Sequence, residues 1–250
     1  MYFADGELVD MMQIACEGSL PRSSDFEQIS DLLPLAQARL LELGCGAAFT
    51  TRRLAESFPA SQIVAMEVDR IQHEKNLLIP DLPNVQFQFG GAQSIDQADE
   101  SIDVVIMLKS LHHVPIAEMD RSFAEIVRVM RPGGLLYISE PVYAGEFNEI
   151  LRLFNDERAV RQAAFDATVR AVEDGKLSLE REIHFTSLSR FEGFAEFEGR
   201  VLRATHSTFD VDATLYDEVK ARFLPHINDD GIAEFHNPTR VDLLRKPPPA

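Results

Sequence analysis

The residues of this 250-residue sequence that could do chemistry gather at a glycine loop flanked by carboxylates and at a pair of adjacent histidines. Gly44-Cys45-Gly46 directly follows the run Arg39-Leu40-Leu41-Glu42-Leu43. Glycines at such a point let backbone approach a ligand closely, and the helix that follows offers unpaired N–H groups to a negative group. A dinucleotide loop needs Gly-x-Gly-x-x-Gly, but Phe49 stands where the third glycine would fall, which removes most support for a nicotinamide cofactor. Glu42, two residues before Gly44, suits a ligand carrying an ammonium group, received directly or through water. Glu67 ends a second apolar run and can accept hydrogen bonds from both hydroxyls of a ribose, with Asp69 a second candidate. His112 and His113 follow the fourth apolar run, which ends at Leu108, and either could serve as a general base; Lys109 and Ser110 share their turn.

These groups need a scaffold that brings several strand ends to one edge. Residues 39 to 140 alternate short apolar runs with amphipathic stretches, the pattern of βαβ units and a mostly parallel, doubly wound α/β sheet. The expected strands are Arg39 to Leu43, Gln62 to Glu67, Val85 to Phe89, Ile102 to Leu108 and Leu135 to Ser139. A crossover helix is expected over Thr50 to Phe58, and Met119, Phe123, Ile126 and Met130 mark one face of another, closed by Pro132-Gly133-Gly134. Before the sheet, Leu8, Met11, Met12 and Ala15, then Phe26, Ile29, Leu32 and Leu33, fall at helical spacing. After it, helices are expected within Glu146 to Asp174, Phe191 to Arg203 and Thr214 to Phe223, with a short strand at Glu182 to Phe185. His236-Asn237-Pro238-Thr239 reads as a turn between strands Ile232 to Phe235 and Arg240 to Leu244.

Five segments, Glu42-Leu43-Gly44-Cys45-Gly46, Glu67, Asp103-Val104-Val105, Leu111-His112-His113-Val114 and Arg128-Val129-Met130-Arg131-Pro132-Gly133-Gly134, occur in an order and spacing that resemble class I S-adenosylmethionine-dependent methyltransferases. The subgroup most resembled is the ubiquinone-type and related enzymes acting on small molecules. The resemblance covers residues 39 to 140. It implies a seven-stranded, Rossmann-like sheet with an antiparallel C-terminal hairpin and a helical lid. It also implies S-adenosyl-L-methionine as cofactor and S-adenosyl-L-homocysteine as product. Glu42, Gly44, Cys45 and Gly46 would hold the methionine end and Glu67 the ribose. Gly91, Ala92 and Gln93 would flank the adenine, and Leu108 and Lys109 the cleft. Two positions depart from the family pattern: Ala48 replaces a third loop glycine, and Gly91 replaces an acid that would contact the adenine amine, leaving that contact to Gln93 or to backbone. Leu108-Lys109-Ser110-Leu111 lacks the Pro-Pro-aromatic turn of nucleic-acid amino methyltransferases, and no cysteine follows the fourth strand for covalent attack on a base.

Forty-one acids against twenty-four bases give a formal charge of −17, which opposes nucleic acid and anionic membrane surfaces. No apolar run spans the roughly 18 residues of a transmembrane helix. Cys16 and Cys45 form neither a disulfide framework nor a metal-ligand pair, so no metal is expected and a cytoplasmic setting suits them. His184, His206, His226 and His236 lack metal-ligand spacing, while Arg152, Arg158, Arg161 and Arg170 read as a solvated helix face paired with Glu149, Asp156, Glu157 and Asp166. The expectation is one domain over 1–250, as monomer or homodimer: cap 1–38, cofactor core 39–140, lid 141–231 and C-terminal strands 232–246. The expected function is methyl transfer to a small-molecule acceptor, set against a non-catalytic methyltransferase-fold subunit and an RNA or protein methyltransferase.

Overall fold

The computed structural model describes residues 12–16, 18–203 and 209–248. A seven-stranded sheet organises them, in the order β3-β2-β1-β4-β5-β7-β6. Strands β1 (Arg39–Leu43), β2 (Gln62–Glu67), β3 (Val85–Phe89), β4 (Ile102–Leu108) and β5 (Met130–Pro141) run parallel. β7 (Ala233–Arg245) lies antiparallel between β5 and β6 (Ser178–Phe191). Chain order reverses between β1 and β4, so their carboxyl ends open the crevice where such sheets bind ligands.

Helices cover both faces because the central strands are apolar on both sides. On one face Met119, Phe123, Ile126 and Val129 of α4 (Met119–Val129) pack with Ala164, Ala167 and Ala171 of α6 (Arg158–Glu173) onto Leu41, Val105 and Leu136. On the other, Ile29 of α1 (Asp25–Leu32) and Leu54 of α2 (Phe49–Ser57) join Leu40, Val104 and Tyr137. Ser24 and Glu27 form a reciprocal cap that starts α1. A short helix α3 (Arg70–Asn76) follows β2.

A third core, rich in phenylalanine, sits beyond the main sheet. Phe191, Phe194, Phe197, Phe223 and Phe235 cluster with Ile150 and Val219, joining the far ends of β6 and β7 to α5 (Glu146–Leu151), α7 (Phe194–Phe197) and α8 (Ala213–Phe223).

Three expectations are corrected. Residues 236–239 do not turn: β7 is one continuous strand through Pro238. The proline is tolerated because its carbonyl accepts from Val142 N, so its missing N–H faces the side where β5 has ended at Pro141. β6 is 14 residues long rather than four, and 41 residues separate it from β7, so the antiparallel pair is not a tight hairpin. Met12 and Ala15 are not helical, while Leu8 and Met11 of that expected helix lie outside the described residues.

Candidate active site

A cleft of about 560 Å³ opens over the carboxyl ends of β1, β2 and β4. Leu43, Gly44 and Gly46 line it, with Glu67, Val68, Gly91, Ala92, Gln93, Leu108, Lys109 and His113 around them. Gly44 has φ +80°, and a Cβ there would meet the Ser110 side chain at 2.7 Å, so only glycine allows the β1 and β4 turns to meet this closely. Ser110 Oγ closes the contact by donating to Leu43 O at 2.7 Å. Ala48 takes the left-handed conformation, φ 59°, at the family's third glycine position, and Phe49 opens α2 with its ring in solvent.

Glu67 braces the loop from the β2 side. One oxygen accepts from Gly46 N at 2.8 Å and the other from Asp69 N at 2.8 Å, and each retains a lone pair for a further donor. Asp69 caps α3, accepting from Ile71 N at 2.9 Å. Glu42 is buried under the loop, where it accepts from Thr51 Oγ1 at 2.6 Å and does not line the cleft. Burial pushes its carboxyl up to about 7, against the Thr51 hydrogen bond. The Cys45 thiol is likewise buried beneath the loop beside Asn76 Nδ2, and burial pushes its pKa up.

A second, smaller cavity of about 200 Å³ adjoins the cleft, and Lys109 and His113 line both. Its wall includes His112, Val142, Phe147, Asn148, Glu157, Arg161, Ser187, Asn237 and Thr239. His112 is buried and its Nδ1 is held by Glu140, which also accepts from Leu111 N at 2.9 Å. Its Nε2 lies 3.9 Å from a Glu157 oxygen. Burial opposes charge on this ring, but the two carboxylates prevail and raise its pKa, so the imidazolium is favoured. Glu140, buried yet facing His112 and Arg240, is held below the usual carboxylate range. Arg161 binds Glu157 through Nη2 at 2.5 Å and Nε at 3.1 Å.

The structure therefore brings Gly44, Gly46, Glu67, Gly91, Ala92, Gln93, Leu108, Lys109 and His113 to one cleft and leaves Glu42, Cys45 and Asp69 in its support. His112 lines the second cavity alone. At Gly91 an added Cβ would lie 2.5 Å from Gln93 Oε1, so the missing side chain makes room for the Gln93 amide. Of the arginines read as a solvated face, Arg152 pairs with Glu149, Arg170 pairs with Asp120, and Arg158 stacks on Tyr143. Arg161 is instead buried in the cavity wall, because α6 packs its N-terminal turns against the 3-10 turn Leu111–His113. His184 pairs with Glu182, His226 with Glu146; His206 lies outside the described residues. Sequence reasoning passed over Asn76, Asn148 and Glu140, and took Glu157, which is buried in the cavity wall, for part of a solvated face. Asn76 clamps the glycine loop by donating to Gly46 O at 2.8 Å. Only Glu140, at the end of the fifth apolar run, carried a usable signal: an acid at a carboxyl strand end.

A methyltransferase-domain model matches residues 40–134. Over 110 residues the chain is 38% identical to an uncharacterized methyltransferase of Mycobacterium tuberculosis, covering 44% of this chain and 42% of that one. It is 31% identical over 119 residues to the 27-O-demethylrifamycin SV methyltransferase of Amycolatopsis mediterranei, covering 46% and 43%. The matched stretch thus spans under half the length of these curated relatives. Among solved structures, an S-adenosylmethionine-dependent methyltransferase from Methanosarcina mazei superposes with a TM-score of 0.54 at 14% identity, over 91% of this chain and 100% of that one.

Proposed function

We propose that residues 40–134, which match a methyltransferase-domain model, form a methyltransferase domain of the class I, S-adenosylmethionine-dependent kind, and that the chain methylates a small-molecule acceptor. The observation that carries the reading is the pair of adjoining cavities, one built on the glycine loop and one beside it, joined at Lys109 and His113. When bound, S-adenosylmethionine supplies a methyl carbon made electrophilic by its sulfonium.

The residues fit that cofactor. Gly44 offers backbone that no other residue could bring so near, Glu67 keeps lone pairs for a ribose, and Gln93 stands where the adenine-side acid is missing. Glu42 sits under the loop as a negative charge in waiting, its carboxyl poised near neutrality until a cation approaches. The acceptor enters the second cavity, where Val142 and Phe147 exclude water and the wall fixes its orientation. His113 is the base we favour, since it faces both cavities; His112 is buried with its Nδ1 held by Glu140 and its pKa raised by Glu140 and Glu157, and is better suited to supporting the wall.

A small acceptor agrees with the net charge of −17, which repels nucleic acid, and with the acceptor named for the Amycolatopsis relative. Two unpaired cysteines suit a reducing cytoplasm. Among the described residues no helix is long and apolar enough to cross a membrane. The test is to incubate the protein with methyl-labelled S-adenosylmethionine and, separately, a small-molecule extract, total RNA and total protein. Label in the small-molecule fraction alone is expected. Label incorporated only into RNA or protein would overturn the reading.

A further inference from the structure

The second cavity runs against the charge of the chain that encloses it. Lys109, Arg161, His112 and His113 line it against a single carboxylate, Glu157, in a molecule with a formal charge of −17. Both Arg161 donors fall on one oxygen of that carboxylate and Asn155 Nδ2 donates to the other, while any charge on His112 is answered by Glu140 beneath it. Lys109 is left over: among the described residues no acid pairs with it.

Asn148 supplies a second, independent sign. It is 5% exposed and lines the cavity, and its Oδ1 accepts from Arg161 Nη1 at 3.0 Å. Because a guanidinium can only donate, that contact fixes which way the amide faces. Nδ2 is then buried with no acceptor among the described residues. A buried amide donor without a partner is costly, and a ligand oxygen relieves the cost. Any oxygen would satisfy the amide, but the unanswered cation nearby favours one that carries negative charge. Asn148 lines the second cavity and not the cofactor cleft, whereas Lys109 and His113 line both.

We propose that the acceptor is a small carboxylic acid. Its carboxylate is anchored at the Asn148 end of the cavity within the field of Lys109, and its nucleophilic group lies at the other end beside His113. This rests on the methyl-transfer reading for the orientation of the molecule, though not for the carboxylate preference.

The probes are hydroxybenzoic and short hydroxyalkanoic acids, each paired with its primary amide, titrated calorimetrically into protein saturated with S-adenosylhomocysteine. At least one acid is expected to bind about tenfold or more tightly than its amide. Asn148→Asp, which sets a carboxylate in place of the donor, and Asn148→Ala should each remove that preference while leaving S-adenosylhomocysteine affinity unchanged. Equal or tighter binding of the amides, no binding of any acid at about 10 mM, or a preference that survives both substitutions would overturn the proposal. If S-adenosylhomocysteine itself fails to bind, the methyl-transfer reading falls, and the same acid and amide titrations on the free protein still decide the carboxylate preference.

Discussion

Glu42 shows how much one buried carboxyl can reveal. Its pKa in the fold, about 7, exceeds the ordinary 4.5. Between those values the folded chain holds a proton that the unfolded chain has released, so this group's contribution to stability falls as pH rises through the window. Replacing Glu42 with Gln should therefore change little at pH 4.5 and stabilise the protein by on the order of 3 kcal/mol above pH 7, read as the difference between denaturant curves at the two values. Asp242, pushed up to about 6 by burial despite Arg240, adds a loss of the same sign at lower pH in both proteins. A cation seated near Glu42 would reverse its shift, so cofactor binding near pH 6.5 should release a proton, and Glu42→Gln should abolish that release. Binding heats that do not depend on the buffer's ionisation enthalpy would show that no cation approaches this carboxylate.

At the scale of elements, the glycine loop is held from three sides: Ser110 in the turn after β4, Glu67 at the end of β2 and Asn76 at the end of α3. Asn76 spends its amide on Gly46 O and Cys45 Sγ while its Oδ1 accepts from Gln72. Asn76→Ala removes the amide donor from the part-buried Gly46 carbonyl, which keeps only a long contact from Cys45 Sγ at 3.8 Å; this should cost about 1 kcal/mol of stability and weaken S-adenosylmethionine binding several-fold, and equal affinity in the variant would show the clamp to be idle. The β1, β2, β3 and β4 strands and the loop were legible in the sequence because each rests on local periodicity and glycine placement. The clamp was not, since Asn76 is brought to the loop by the fold of β2 and α3 rather than by any spacing. Pro238 misled for a related reason: it marks a turn locally, and only the early end of β5 makes it harmless within β7. Glu157 and Arg161 lie four apart on what reads as an exposed helix face, and only the docking of α6 on the Leu111–His113 turn buries them.

For the whole molecule, the division of labour is between the five parallel strands, which carry the cofactor cleft, and the far ends of β6 and β7, which carry the phenylalanine core and one wall of the second cavity. Phe223 is fully buried in that core. Phe223→Ala should cost about 3–5 kcal/mol yet leave cofactor affinity within a few-fold, because its partners are all in the extension. Loss of cofactor binding in a folded Phe223→Ala protein would mean that the two regions are coupled. The strands of the extension were located in the sequence at Glu182 to Phe185, Ile232 to Phe235 and Arg240 to Leu244, but their lengths and the continuity of β7 were not, since aromatic runs there fit helix and strand alike.

The central claim is that the cleft over Gly44 binds S-adenosylmethionine through Glu67. Calorimetric titration of the wild-type protein and Glu67→Ala with S-adenosylmethionine and S-adenosylhomocysteine tests it most directly. The account predicts saturable binding to the wild type and affinity about tenfold or more weaker in the variant, the size of a hydrogen bond to a charged group, ~1.5–3 kcal/mol. No heat from the wild type at about millimolar ligand, or unchanged affinity in Glu67→Ala, would contradict it.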